Sequence, residues 1–266
     1  MRTTKKCLCS FLFCLSLVGL ISCKKDLTTN KIAPEIIHKI SELGFNTDDL
    51  HEDDGGYITE DDIILSKNDI DTKPQLQYVR IAGSEQYSTF NLIKNLPRTL
   101  TITISNELPF TYTLALDEAI RRYNAENLQV HFQRGNTDGD IRIINSYGNY
   151  VGASGLPSSE GVPYHTIKLN SMRIGFGADK VVINYIATLI AHEMGHCIGF
   201  RHTDYMNRSF SCKGKSANES AGSSGVINIA GTPSSPDAGS WMLACIDHNQ
   251  NRNFNDNDRI ALNYLY

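Results

Sequence analysis

The chain has 266 residues, a net charge of −4, 41% hydrophobic and 20% charged residues, which is typical of a globular protein. The charge is small and no long run of Lys and Arg follows the N-terminus, which argues against a nucleic-acid partner. The length fits one core of about 150–200 residues with a smaller part beside it.

Residues 1–22 have the pattern of a bacterial export signal. A basic "MRTTKK" precedes "CLCSFLFCLSLVGLIS", which is apolar but too short for a comfortable membrane span. The closing "LISC" resembles the lipobox of bacterial lipoproteins, which implies cleavage before Cys23 and a lipid on Cys23; an uncleaved anchor helix is the alternative. We therefore expect a lipid-anchored protein of the bacterial cell envelope, on the periplasmic or surface face of the outer membrane, or one released from the cell.

Residues 23–97 are predicted to form a polar tether followed by a segment that resembles a pro-region. The apolar residues of "PEIIHKISELGF" recur at helical spacing and predict a short amphipathic helix that stops at Gly44. An acidic, glycine-containing stretch follows, and apolar residues are sparse. We expect an appendage here, not part of the main core.

Residues 98–266 are predicted to form the main domain. Alternating apolar residues in "RTLTITIS" predict a strand, and "PFTYTLALDEAIRRYNAE" predicts a helix. The segments "NLQVHFQ", "DIRIINS", "YVGASGL" and "HTIKLN" predict further strands, before a long helix at 180–199 and a final helix in "DNDRIALNYLY". This order predicts an α+β domain in which one sheet is backed by two helices.

The long helix ends in "HEMGHCIGFRH", whose spacing fits a metal site. His192 and His196 are four residues apart and share a helix face, while Glu193 is offset by about 100° and flanks them. Gly199 tolerates the left-handed end of the helix, so His202 can return from outside it. Three neutral nitrogen ligands with one open position are typical of a catalytic zinc site.

Three cysteines remain once the signal and the lipid-bearing residue are set aside. Cys197 lies on the apolar stripe of the long helix, where it is expected to be a small buried hydrophobe. That leaves Cys212 and Cys245 as the predicted disulfide pair of an exported domain.

The pattern HExxHxxGxxH is the signature of the metzincins, and the chain resembles them over residues 98–266. "GSWMLAC" places Met242 where metzincins have the methionine of a turn beneath the zinc, although an ordinary core methionine is the alternative. More narrowly, "HEMGHCIGFRHTD", a late "GTP" and "NDRIALNYLY" resemble the bacterial HEIGH-type metallopeptidases, with Met194 in place of isoleucine. The resemblance implies a metzincin-like core, with a twisted mixed sheet, two helices, a Met-turn and a C-terminal helix.

The resemblance also implies a zinc-dependent endopeptidase that acts on proteins or peptides outside the cytoplasm. One Zn²⁺ would be held by His192, His196 and His202, with Glu193 as the general base for a zinc-activated water. The edge strand formed by Val151, Gly152, Ala153 and Ser154 would pair with extended substrate, although its glycines also fit a simple turn. We expect a monomer. The competing class is a non-catalytic surface lipoprotein that binds a partner on the same scaffold.

Two further motifs lie outside the zinc signature. "YITEDDI" faintly resembles the astacin pro-segment in which an aspartate caps the zinc, which makes Asp62 a candidate latency residue; an acidic turn before a strand is the alternative. "DHNQNRNFNDND" has the spacing of a calcium loop, but Arg252 stands where glycine is needed and Asp258 replaces the glutamate. A solvated loop is favoured there over a calcium site.

Overall fold

The computed structural model describes residues 32–71, 86–213, 226–233 and 235–266. The predicted signal segment and Cys23 lie outside these residues. Across the described ranges, none of the helices combines the length and apolar character needed to cross a membrane.

The chain forms six α-helices within the described residues. They are α1 Pro34–Glu42, α2 Lys67–Asp71, α3 Phe110–Asn124, α4 Ser171–Ile174, α5 Lys180–Cys197 and α6 Asp256–Leu265. Four of them, α1, α3, α5 and α6, were predicted from the sequence.

The strands fall into a small N-terminal sheet, a five-stranded main sheet and a sheet of very short strands. They are β1 His51–Asp53, β2 Gly56–Thr59, β3 Ile63–Ser66, β4 Tyr87–Ser88, β5 Arg98–Ile104, β6 Val130–Arg134, β7 Ile141–Asn145, β8 Gly152–Ala153, β9 Thr166–Leu169, β10 Phe200–Arg201 and β11 Ile227–Asn228.

The main sheet has the strand order β6-β5-β7-β9-β8. Its first four strands are parallel, and β8 joins the edge antiparallel to β9. Leu100 and Ile102 of β5 are fully buried because the alternation seen in the sequence turns them toward α3 and α5. The structure therefore has the predicted mixed sheet backed by two helices.

Contacts between α3 and α5 fix the helix that carries the histidines. The Arg122 side chain of α3 is buried and donates to Thr188 Oγ1 of α5 at 3.1 Å. Tyr123 Oη donates to Ala191 O, one residue before the first histidine, at 2.8 Å. These buried side-chain bonds hold the C-terminal half of α5 against α3.

The helix α5 is capped by Asp179, which accepts hydrogen bonds from the first-turn amides, and it ends two residues before the predicted limit. Gly199 has a φ of +108°, which lets the chain reverse out of the helix. Cys197 is buried and has no disulfide partner, whereas Cys212 and Cys245 are joined in a disulfide.

The N-terminal segment, defined here as residues 32–71, folds into α1, the antiparallel sheet β1-β2-β3 and α2. It has a small apolar core of its own, and Leu156 of the following domain packs against that core. The sequence predicted α1 and the strand at β3, but it did not predict β1 and β2. Residues 86–88 are different, because β4 pairs with β10 and β11 of the main domain.

Candidate metal centre

Three histidine side chains converge at the C-terminal end of α5. His196 Nε2 lies 3.1 Å from His192 Nε2 and 3.2 Å from His202 Nε2. The first two are one turn apart on α5, and the third returns toward them after Gly199 and the strand β10. All three residues are at least 97% buried.

Backbone carbonyls determine which ring nitrogen of each helical histidine faces the centre. His192 Nδ1 lies 2.8 Å from Trp241 O, and His196 Nδ1 lies 2.8 Å from Phe200 O. A carbonyl only accepts, so each Nδ1 carries the proton and each Nε2 presents a lone pair in the neutral ring. Burial also lowers the pKa of His196 to about 4, which keeps that ring neutral. Lone pairs only 3.1 Å apart repel each other unless a cation lies between them.

The separations fit a tetrahedral zinc site. Zinc–nitrogen bonds of about 2.0 Å give a tetrahedron whose edges are about 3.3 Å. The Nε2 separations at His196 and the two distances from Asp62 Oδ2, 3.2 Å to His192 Nε2 and 3.1 Å to His202 Nε2, are all close to that edge length. The donor set of three imidazoles and one carboxylate is therefore suited to Zn²⁺.

Asp62 comes from the N-terminal segment and occupies the fourth corner of this cluster. Burial opposes its charge, but electrostatic interaction with the three imidazoles, His202 first, holds the pKa of the Asp62 carboxyl well below its usual range. Its other oxygen, Oδ1, is buried without a hydrogen-bond partner. A buried, ionised oxygen of this kind is satisfied by a metal cation.

Glu193 lies beside the histidines and contacts the edge strand of the main sheet. Ser154 Oγ lies 2.7 Å from Glu193 Oε2 and donates to it. A side chain at Gly152 would collide with Glu193 Oε1, so glycine is needed there to leave room for the carboxylate. Burial first, and the Asp62 carboxylate second, raise the pKa of Glu193 well above its usual range, while Ser154 acts in the opposite direction. Ser154 and Gly152 therefore set the position of this carboxylate.

Met242, the predicted turn methionine, packs against the helix that carries the first two histidines. It is fully buried, and a side-chain carbon added at Gly195 would lie 2.6 Å from Met242 Sδ. Its backbone carbonyl accepts from Thr203 N at 2.9 Å, and the preceding Trp241 supplies the carbonyl that orients His192. The turn at Met242 thus supports both the helix and the residue after His202.

The predicted substrate edge strand is already paired on both sides. Gly152 and Ala153 pair with β9. On the other side, Ser154 N donates to Asp62 O at 2.9 Å, and Ile64 N donates to Ser154 O at 2.7 Å. The N-terminal segment therefore pairs with the side of this edge strand that was predicted to bind substrate.

The charged pairs that anchor the N-terminal segment were not predicted from the sequence. Glu60 Oε2 lies 2.8 Å from Arg201 Nη2, and both side chains are fully buried. Asp61 Oδ2 lies 2.5 Å from Arg208 Nη2. The available signal was the acidic triplet before β3 and the arginine directly before His202. In the segment with calcium-loop spacing, Asp258 is buried and accepts from Asn255 N as part of the cap of α6.

Comparison with known proteins gives a family match over most of the chain. The model of the dual-action HEIGH metallo-peptidase family matches residues 58–266. No curated protein matches the chain. Among solved structures, high choriolytic enzyme 1, a hatching enzyme zinc-protease from the medaka fish Oryzias latipes, is 16% identical. That match covers 63% of this chain and 88% of that chain, with a TM-score of 0.40.

Two structures of myroilysin also match, with identities of 15% and 16% and TM-scores of 0.35 and 0.33. They cover 46% and 48% of this chain, which spans 57% and 60% of theirs. This chain therefore spans less than two thirds of the length of the myroilysin chains that it matches.

Proposed function

This chain belongs to the dual-action HEIGH metallo-peptidase family, and we propose that it is a zinc-dependent endopeptidase with Glu193 as general base. The observation that carries this proposal is the convergence of three histidine Nε2 atoms, two of which present lone pairs because carbonyls hold the proton at Nδ1. His192, His196 and His202 would hold Zn²⁺. When bound, the ion would supply Lewis-acid polarisation of the scissile carbonyl and make an attacking water more acidic.

Side chains of the protein would carry out the proton transfer. Glu193 takes the proton of the attacking water and passes it to the nitrogen of the leaving amine. Ser154 Oγ, at 2.7 Å, donates to Glu193 Oε2 and holds the carboxylate against the edge strand. Gly152 leaves room for this geometry. The edge strand from Val151 to Ser154 would align an extended substrate by backbone pairing.

We also propose that the N-terminal segment keeps the enzyme latent, with Asp62 as the capping residue. Asp62 Oδ2 contacts two of the three histidines, and the backbone beside it pairs with Ser154. The segment thus occupies both the fourth corner of the metal site and the substrate edge. Substrate can enter only after the segment has moved.

Activation by proteolysis would require a cut before residue 86. Gln86 is buried, donates to Asp258 Oδ1 at 2.8 Å and lies next to β4, which pairs with β10. A cut between residues 72 and 85 would separate the N-terminal segment from the domain while leaving these contacts intact. We therefore place the functional limit of the pro-region before residue 86, inside the predicted range 23–97.

We propose that the substrates are proteins or peptides outside the cytoplasm and that Cys23 carries the lipid that anchors the enzyme to the envelope. The support for this location is the lipobox-like "LISC" and the disulfide between Cys212 and Cys245, since disulfides persist in oxidising compartments. Labelling cells with a radioactive fatty acid tests it: the wild-type chain should incorporate label and Cys23→Ala should not. Equal labelling of both chains would contradict the anchor.

The test of the activity uses the full chain with a specific protease site introduced between residues 72 and 85. After the cut, hydrolysis of a denatured protein should appear, stop with a chelator and return with zinc. Glu193→Ala should be inactive, whereas Glu107→Gln, which alters an exposed carboxylate, should match the parent. A zinc-loaded, cut chain without any hydrolysis would favour the binding lipoprotein.

A further inference from the structure

Two arginines that flank the third histidine in sequence are covered by the N-terminal segment. Arg201 directly precedes His202 at the end of β10, and Arg208 begins a short 3-10 turn at Arg208–Phe210. Both side chains have no exposed surface. A guanidinium cannot be deprotonated under ordinary conditions, so the structure buries two positive charges against the residues that directly precede Asp62.

Groups of the N-terminal segment face these charges. Arg201 Nη2 lies 2.8 Å from Glu60 Oε2, and its guanidinium carbon is 4.7 Å from the centre of the Phe45 ring. Arg208 Nη2 lies 2.5 Å from Asp61 Oδ2 and 3.3 Å from Glu60 O. The segment's acidic side chains therefore cover the arginines and become separated from them when the segment leaves.

The acidic residues that cover the arginines are neighbours in sequence of Asp62, the residue that contacts the histidines. Glu60 and Asp61 directly precede Asp62, whose carboxylate lies at the three histidines. The backbone of both residues is left-handed, with φ of 55° and 70°, and is more compact than an extended chain. An extended substrate covers more distance per residue, so it reaches the arginines within two residues of the bond at the metal.

We propose that Arg201 and Arg208 form a specificity subsite for an Asp or Glu side chain of the substrate, within two residues of the cleaved bond. This inference rests on the proposed endopeptidase function. Guanidinium groups bind carboxylates through paired, charge-assisted hydrogen bonds. A site built for such pairing rejects the amide isostere, because the amide brings no charge and leaves donors unpaired.

The test uses the full chain with Glu60→Ala, Asp61→Ala and Asp62→Ala combined, which removes the segment's carboxylates from the site. Paired peptides differ only by Asp or Asn within two residues on either side of the cleaved bond. We expect kcat/KM to be at least about tenfold higher for the acidic peptide. Adding Arg208→Gln should bring this ratio toward one, while Arg134→Gln, an exposed arginine that pairs with Asp117, should preserve it.

A binding measurement separates this proposal from the proposed activity. The same peptides are titrated into the zinc-loaded triple variant carrying Glu193→Ala, and the acidic peptide should bind at least about tenfold more tightly. Chelator-sensitive cleavage without acidic preference in either assay would overturn the subsite and leave the endopeptidase standing. Acidic preference in binding without any cleavage by the triple variant would support the subsite and overturn the endopeptidase. Absence of both would overturn both.

Discussion

Replacing Glu60 with alanine is expected to release the N-terminal segment without altering the histidines. Glu60 and Arg201 form an ion pair at 2.8 Å with both side chains fully buried. Removing one member of a buried pair strands the other charge and costs roughly 3–5 kcal/mol. At about 1.4 kcal/mol per tenfold, the ratio of docked to undocked segment should fall by roughly 100- to 3,000-fold.

Amide hydrogen exchange measures this ratio in the uncut chain. Ile64 N donates to Ser154 O at 2.7 Å, so its exchange reports undocking of the segment from the edge strand. In Glu60→Ala the protection of Ile64 should fall by the stated factor, and peptide hydrolysis by the zinc-loaded chain should rise. Glu52→Ala, an exposed carboxylate in the same small sheet, should change protection little. Equal protection in the two variants would refute the reasoning.

Three further predictions concern the supports of the site. Gly152→Ala should lower kcat by about tenfold or more, because the added carbon displaces Glu193, with zinc content unchanged by elemental analysis. Glu118, whose pKa is lowered to about 2 chiefly by a hydrogen bond from a neighbouring arginine, stabilises the fold above its unfolded pKa. Glu118→Gln should therefore cost roughly 1–3 kcal/mol at pH 7, a difference that shrinks as the pH falls from 4.5 toward 2. Reducing the Cys212–Cys245 bond, which closes a loop of 33 residues in sequence separation, should lower stability by about 3–4 kcal/mol in chemical denaturation.

Each of these predictions has its own contradicting outcome. Unchanged kcat in Gly152→Ala would mean that the edge strand yields and does not position Glu193. If the loss of stability in Glu118→Gln relative to the parent stays constant between pH 7 and pH 3, ion pairing with the α3 arginines is not its cause. Equal denaturation midpoints before and after reduction would show that the disulfide does not restrain the unfolded chain.

Much of the main domain follows from local patterns. The periodic segments at α3, α5 and β5 carry enough apolar residues at regular spacing to identify their type and their buried face, and the five-stranded mixed sheet confirms the α+β prediction. The family match confirms the predicted membership of the HEIGH-type metallopeptidase family. The helix geometry of "HEMGH" also placed His192 and His196 on one face, because four-residue spacing depends only on the helix itself.

The N-terminal segment could not be placed by such patterns. Asp62 contacts His192 across 130 residues, and Glu60 contacts Arg201 across 141, so no local spacing records either contact. The strands β1 and β2 have three and four residues, too few for a clear alternation. Of these two strands, only Tyr57 of β2 packs in the small core with residues of α1 and α2, a contact between separate segments that local periodicity does not record.

The central claim is that Glu193 moves protons beside a zinc ion held by three histidines. It is tested most directly by single-turnover hydrolysis in the Glu60→Ala chain, with zinc content measured on the same sample. Adding Glu193→Ala should lower the rate by roughly 10²–10⁴-fold while about one zinc per chain is retained. Hydrolysis that continues at the parent rate in that variant, or after the zinc has been removed, would contradict the account.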